Sequence, residues 1–283
     1  MSMCDGHSFA DLMTDPVSGA ASATIPVGDL DFVGISDGYL IVQPEMLGSP
    51  EEPTGGYDAL AEFYQPVSMP IGCFLLRGEQ NILIDTGYGP ESEPISDLMV
   101  GGRLLGELER IGLTPNDIDV IAISHLHIDH AGTLGDRVSG EPIFPRAQVF
   151  VGEADWQYFI VDREGIMPAA EFLHTALTTM KSQGQIELMT GDVDITSALR
   201  RIDAPGHTPG HSLFEVHDQD ERVLLLGDAM YCAQQLGKLD WSVAFDENPA
   251  LARTTRERLT RDLEANGGRA LGCHFPELKL ASA

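Results

Sequence analysis

Residues 124–132 read Ser124-His125-Leu126-His127-Ile128-Asp129-His130-Ala131-Gly132, which puts four metal-donor side chains within six positions. The stretch follows the apolar run Ile118-Asp119-Val120-Ile121-Ala122-Ile123, which reads as a buried strand. In an extended chain, residues two apart point the same way, so His125 and His127 can reach one ion. Asp129 and His130 come after the chain begins to turn and can serve a second. Imidazole and carboxylate suit zinc, iron or manganese, and no thiolate lies in the cluster. A surface loop would account for a single histidine, but not for four donors placed straight after a strand. Each ion needs further ligands, so the cluster calls for partners elsewhere in the chain.

The elements that must hold these residues are legible in outline. Asp31 to Ile35 and Tyr39 to Val42 flank Ser36-Asp37-Gly38, a hairpin signal. Ile71 to Arg77 and Asn81 to Asp85 suggest a second hairpin around Gly78-Glu79. Asp85, at a strand end before Thr86-Gly87, is placed to turn a ligating histidine through its carboxylate. Apolar spacing over 95–111 predicts a helix, and Thr114-Pro115 a helix start. Strands are expected over 147–151, 199–203, 212–216, 223–226 and 269–272. Helices are expected over 153–161, 169–182 and 250–265. Trp156, Tyr158 and Phe159 suit core packing or a pocket mouth. Residues 1–28 read as an arm, and 44–68, with its prolines and Gly55-Gly56, as a long loop. Either is placed to shape a pocket or a contact between two copies in a homodimer. Residues 29–283 are expected to form one catalytic domain. Strands in two batches, each followed by helices, point to two sheets face to face with helices outside, an α+β sandwich.

Composition narrows the function. The chain has 283 residues, is 43% hydrophobic and carries a formal charge of -27. That balance excludes a nucleic-acid footprint, disfavours anionic membrane surfaces and suits a neutral small-molecule substrate. Apolar runs such as Val223 to Leu226 are too short to span a bilayer, and the first residues lack a basic region followed by an apolar one. Cys4, Cys73, Cys232 and Cys273 stand far apart with no CxxC, which suggests reduced thiols and a cytoplasmic location. Cys232 and Cys273 suit small buried packing positions.

Three downstream stretches can supply the missing ligands, each after an expected strand: Gly206-His207-Thr208-Pro209-Gly210-His211, Gly227-Asp228-Ala229 and Cys273-His274-Phe275-Pro276. With His125-x-His127-x-Asp129-His130 and Asp85-Thr86-Gly87, they resemble the metallo-β-lactamase superfamily in its dinuclear hydrolase branch, over residues 30 to 276. The resemblance implies an αβ/βα sandwich with metals at the strand ends. It implies His125, His127 and His207 on a first ion, Asp129, His130 and His274 on a second, and Asp228 bridging both. His211 is expected to be structural. The cofactors implied are two divalent ions, zinc first, with iron, manganese or cobalt as alternatives. They would lie roughly 3.5–4 Å apart and share a hydroxide that attacks the substrate. Asp129, ahead of Asp228, would relay the proton to the leaving group.

Two groups within the superfamily are similar. Tyr231, three residues after Asp228, matches the N-acyl homoserine lactonases, and a phenol there can donate to a developing oxyanion. Ser36-Asp37-Gly38, Phe144-Pro145-Arg146-Ala147 and His274-Phe275-Pro276 look like the methyl parathion hydrolase-like proteins, which tend to carry His where Tyr231 stands. Opening of a neutral lactone or carboxylic ester is the first expectation. A phosphotriester comes second. A β-lactam and di-iron redox chemistry stand behind both.

Overall fold

Side chains alternate along the strands with a period of two. Val120 and Ala122 face one hydrophobic cluster, and Ile121 and Ile123 face another. Phe74 and Leu76 join the first cluster, while Cys73 and Leu75 join the second. Strands apolar on both faces must be covered on both, which fixes a layered arrangement. The structure is a computed structural model and describes residues 22–43, 46–48, 67–89, 98–166, 169–275 and 278.

In chain order the first strands are β1 (Ser22–Thr24), β2 (Asp31–Val42), β3 (Leu47–Gly48), β4 (Val67–Arg77), β5 (Ile82–Ile84) and β6 (Met99–Val100). Helix α1 (Leu104–Arg110), β7 (Val120–Ala122) and the short α2 (Ile128–Ala131) follow. Then come β8 (Gln148–Gly152) and α3 (Glu153–Asp155), which runs on as a π-helix over Trp156–Val161. Helix α4 (Glu171–Ser182) leads to β9 (Ile186–Met189), β10 (Val193–Asp194), β11 (Leu199–Asp203), β12 (Ser212–Asp218) and β13 (Glu221–Leu225). The chain closes with β14 (Ser242–Val243), α5 (Pro249–Asn266) and β15 (Arg269–Leu271).

One sheet runs β1-β2-β4-β5-β7-β8-β9, with β6 on β2; the other runs β10-β11-β12-β13-β15; β3 and β14 make a small ribbon. The first cluster joins Phe32, Phe74 and Ile84 of the first sheet to Phe214, Val216 and Leu224 of the second. The second covers the far face of the first sheet with Leu104 and Leu108 of α1 and Leu173, Leu177 and Met180 of α4. Leu259 and Leu263 of α5 join the first cluster, and Arg222 of β13 bonds Asp262 of the same helix at 2.7 Å. The order is helix, sheet, sheet, helix, the αβ/βα sandwich expected. Strands β5 and β7 run parallel, as do β13 and β15. Within each pair the C-terminal ends lie side by side.

Three local expectations are corrected. Ser36-Asp37-Gly38 is not a hairpin. Strand β2 runs through it unbroken, with a register shift between Ser36 and Gly38. The extra residue of that bulge turns Asp37 inward. Its oxygens accept from the amides of Tyr88 (2.8 Å), Gly102 (3.1 Å) and Leu104 (2.8 Å). Burial still pushes the Asp37 carboxyl above its ordinary value. The helix expected over 95–111 is confined to α1, because Met99 and Val100 pair as β6 with Leu40 and Tyr39. The arm expected over 1–28 gives way by Ser22 to β1, and Ile25 and Val27 are buried in the first cluster. Residues 1–21, 95–97 and most of 44–68 lie outside the described residues. The second hairpin forms, and Thr114 caps the 3-10 turn Pro115–Asp117.

Asp37→Ala would strand three amide donors at the join of β2, the Tyr88 turn and α1. Chemical denaturation should show a loss of about 2–4 kcal/mol, and a smaller one for Asp37→Asn, which keeps an acceptor. An Ala variant as stable as the native chain would show that these amides do not depend on the bulge.

Candidate dinuclear metal centre

Each stretch singled out in the sequence leaves a strand at the same edge. Strand β7 delivers 124–130, β11 delivers His207, β13 delivers Asp228 and β15 delivers His274. All seven side chains His125, His127, Asp129, His130, His207, Asp228 and His274 are buried. Gly227 lets β13 turn into the site. Its φ is +50°, and a Cβ there would stand 2.6 Å from His211 Nε2.

The donors gather in two groups around one carboxylate. His127 Nδ1 lies 2.9 Å from His125 Nε2 and 3.1 Å from His207 Nε2. Asp228 Oδ2 stands 3.4 Å from His207 Nε2 and 3.9 Å from His125 Nε2. The other oxygen, Oδ1, stands 3.2 Å from both His130 Nε2 and His274 Nε2. Asp129 Oδ2 closes that second group at 3.7 Å and 3.6 Å from the same two nitrogens. Tetrahedral ligands at zinc distances stand about 3.3 Å apart, so both groups have the spacing of a metal shell. The Nε2 atoms of His130 and His274 are buried without a hydrogen-bond partner among the described residues. A nitrogen so placed has a use as a ligand and a cost otherwise. His125, His127, His207 and Asp228 thus fit one divalent ion, and His130, Asp228, Cys273 and His274 a second, with Asp129 at its edge.

The outward nitrogens of three rings, those of His130, His274 and His207, are held as ligands require. Asp85 Oδ2 takes His130 Nδ1 at 2.9 Å, while Ser124 donates its amide and its hydroxyl to Asp85, each at 2.7 Å. His274 Nδ1 meets the Pro70 carbonyl at 2.7 Å, and His207 Nδ1 meets Asp246 Oδ1 at 3.0 Å. His211 is not in either group. Its Nε2 accepts the Asp228 amide at 3.0 Å, which fixes the shared residue's backbone. Asp155 ties two ligand loops together, accepting from Leu126 N (3.2 Å), Thr208 Oγ1 (2.9 Å) and Gly210 N (2.6 Å).

Charge divides the two groups. Burial, then the neighbouring imidazoles, hold His125 and His127 well below the ordinary histidine value, so both are neutral donors. Burial also opposes charge on His130 and His274, yet the carboxylates around them, Asp228 foremost, raise both. Asp228 is itself driven well down: burial opposes its charge, but His274 and His130 outweigh it. The carboxylates therefore draw positive charge into the second group, a pull that a divalent cation answers. Tyr231 donates to Asp228 Oδ2 at 2.6 Å. Burial and then that carboxylate push the phenol well above its ordinary value, so it stays protonated.

Sequence reasoning missed Asp155, Asp246, Arg256 and the contact of Cys273. Cys273 is buried as expected, but its Sγ lies 3.1 Å from Asp228 Oδ1 and counts among the donors of the second group. Trp156 and Phe159 are core residues, and Phe159 sets its ring edge-on to His127 at 5.6 Å.

A family model for the metallo-beta-lactamase superfamily matches residues 70–138. An N-acyl homoserine lactonase of Bacillus thuringiensis is 29% identical over 210 residues, 68% of this chain and 76% of that one. The crystal structure of a quorum-quenching N-acyl homoserine lactone lactonase superposes with a TM-score of 0.68 at 25% identity, covering 90% of this chain and 95% of that one. AidC, a dizinc quorum-quenching lactonase, shares the fold with a TM-score of 0.76 at 22% identity, over 95% and 94% of the two chains. The chain is thus similar to the metallo-beta-lactamase superfamily and, within it, to the N-acyl homoserine lactonases. It is a metal-dependent hydrolase similar to the lactonases. No helix among the described residues is long and apolar enough to cross a membrane.

Burial pushes the Asp155 carboxyl from 3.8 up to about 6, against the pull of its three donors. The fold therefore opposes its ionisation. The group's contribution to stability is greatest below the unfolded value and declines as pH rises through the folded one. Between about pH 4 and pH 7, urea denaturation of metal-free protein should show the native chain losing about 3 kcal/mol relative to Asp155→Asn. A difference that stays constant with pH would refute this buried ionisation.

Proposed function

We propose that this hydrolase opens a neutral lactone or carboxylic ester, with N-acyl homoserine lactones as its first substrate class and zinc as its metal. His125, His127 and His207 would hold the first ion, and Asp129, His130 and His274 the second, with Asp228 between the two groups. The observation that carries this reading is the division of Asp228, one oxygen facing each group of nitrogens. The similarity to the Bacillus lactonases supports the substrate class.

When bound, such ions acidify a water and polarise a substrate carbonyl. The chain's own residues supply the rest. Buried, neutral His125 and His127 give their lone pairs without a proton to displace. The Tyr231 hydroxyl, already within 2.6 Å of the shared carboxylate, donates to the carbonyl oxygen as negative charge grows on it. Asp129 closes the second group through Oδ2, which leaves its other oxygen to accept the water's proton and pass it to the leaving alkoxide. Carbonyl–oxygen cleavage of a lactone then gives the open hydroxy acid.

A substrate panel on zinc-loaded protein tests the class: homoserine lactones of several chain lengths, aryl esters, a phosphotriester and a β-lactam. Lactones should turn over fastest. Inert lactones beside fast phosphotriester hydrolysis would sink the reading. Tyr231→Phe should lower kcat for the lactone roughly 100-fold at unchanged zinc content. Asp129→Asn with both ions and full turnover would remove Asp129 from the proton path. Thorough chelation should abolish activity, and zinc should restore it.

A further inference from the structure

Different surroundings stand behind the two groups. Asp85, behind His130, accepts from Ser124 and pairs with no Lys or Arg among the described residues. Asp246, behind His207, has a cation: its Oδ2 lies 3.5 Å from Arg256 Nη1. Arg256 comes from α5, and its side chain is 1% exposed. Its Nε donates to the Leu239 carbonyl at 3.2 Å, and its Nη1 to that of Ala229, next to Asp228, at 3.5 Å. Asp240 and Arg253 act on it with opposite signs. The relay Arg256–Asp246–His207 is thus a neutral pair behind the first group. The second group has Asp85 behind it, with no Lys or Arg on it among the described residues, and Asp129 beside it.

We propose that Asp246 and Arg256 are positioning residues that tune the first ion site separately from the second, Asp246 strengthening its hold and Arg256 weakening it. The inference rests on the two-ion reading above. Asp246 accepts the Nδ1–H of His207 and so leaves the Nε2 lone pair to the ion, while its charge makes the imidazole a stronger donor. Arg256 offsets that charge and repels a divalent cation across a dry interior, where charges act over longer distances than in water. Among the described residues no buried arginine or lysine similarly opposes the second ion. The first ion is therefore the one released first.

Zinc-loaded protein titrated with a chelating dye tests this by metal release, independently of activity. The native chain should release two ions in two steps. Asp246→Asn should ease the early step about 10–100-fold and leave the late one alone. Asp85→Asn should ease only the late step. Arg256→Gln should tighten the early step about tenfold, although it breaks the same ion pair, and Arg256→Lys should restore native release. A merely structural pair would make Asp246→Asn and Arg256→Gln both loosen the ion, and that result overturns the proposal. Circular dichroism checks each fold. Should Arg256→Gln fail to fold, Asp246→Asn decides, since an unchanged early step or an equal shift of both steps refutes the relay. A native chain taking up fewer than two ions refutes the two-ion reading and this inference together. Two ions with variants behaving alike refutes the inference alone.

Discussion

One carboxylate constrains the whole arrangement. Asp228 is 2% exposed, and its two oxygens face different sets of ring nitrogens, so its position must be correct for both at once. Four separate contacts hold it: His211 on its amide, Tyr231 on Oδ2, Cys273 on Oδ1, and the left-handed turn at Gly227 behind it. The sandwich serves the same end. Strands from two sheets reach one edge in parallel, which brings a loop from β7 and loops from β11, β13 and β15 together around that carboxylate. Asp155 locks two of those loops together through Leu126, Thr208 and Gly210.

Much of this was written locally in the chain. His125-x-His127-x-Asp129-His130 is legible because strand geometry and a turn dictate where neighbouring side chains point. His207, Asp228 and His274 are legible because each stands in a short Gly- or Pro-marked turn after an apolar run. Ser36-Asp37-Gly38 misled because Asp-Gly marks a hairpin and a bulge alike. Only the partners of the Asp37 carboxylate, 51 to 67 residues away, separate the two. Met99 fits a helical period, yet an open edge on β2 claimed it together with Val100, as tertiary pairing overrides local propensity. Asp246 lies 39 residues from His207 in a stretch that reads as a lead-in to α5, and no spacing rule ties it to an imidazole.

The charge of -27 and the centre point to one substrate character. An acidic surface repels anions on approach, while divalent ions held by the centre would favour electron-rich oxygen on arrival. The neutral lactone proposed above satisfies both. Tyr231, kept protonated by burial beside Asp228, adds a donor suited to a carbonyl oxygen. Tyr231 also packs on His274, with ring centroids 4.8 Å apart, so its hydroxyl is placed by the same residue that serves the second group.

The same charges connect function to stability. Asp37, Asp85, Asp129, Asp155, Asp228 and Asp246 are all buried, while among the described residues the buried basic side chains that carry a fixed charge are Arg201 and Arg256. Arg201 turns to Asp203, Ser212 and the Gly191 carbonyl, and Arg256 alone meets one of the six aspartates. Amides and hydroxyls relieve Asp37 and Asp155, as at an anion-binding turn. Asp129, Asp228 and Asp85 converge on a few ångströms with histidines as their nearest source of positive charge. Uncompensated buried carboxylates destabilise a fold, and cations that bind only the folded arrangement return that free energy as stability. The donor set that would make the chemistry possible is then also a part of the core that bound ions would stabilise.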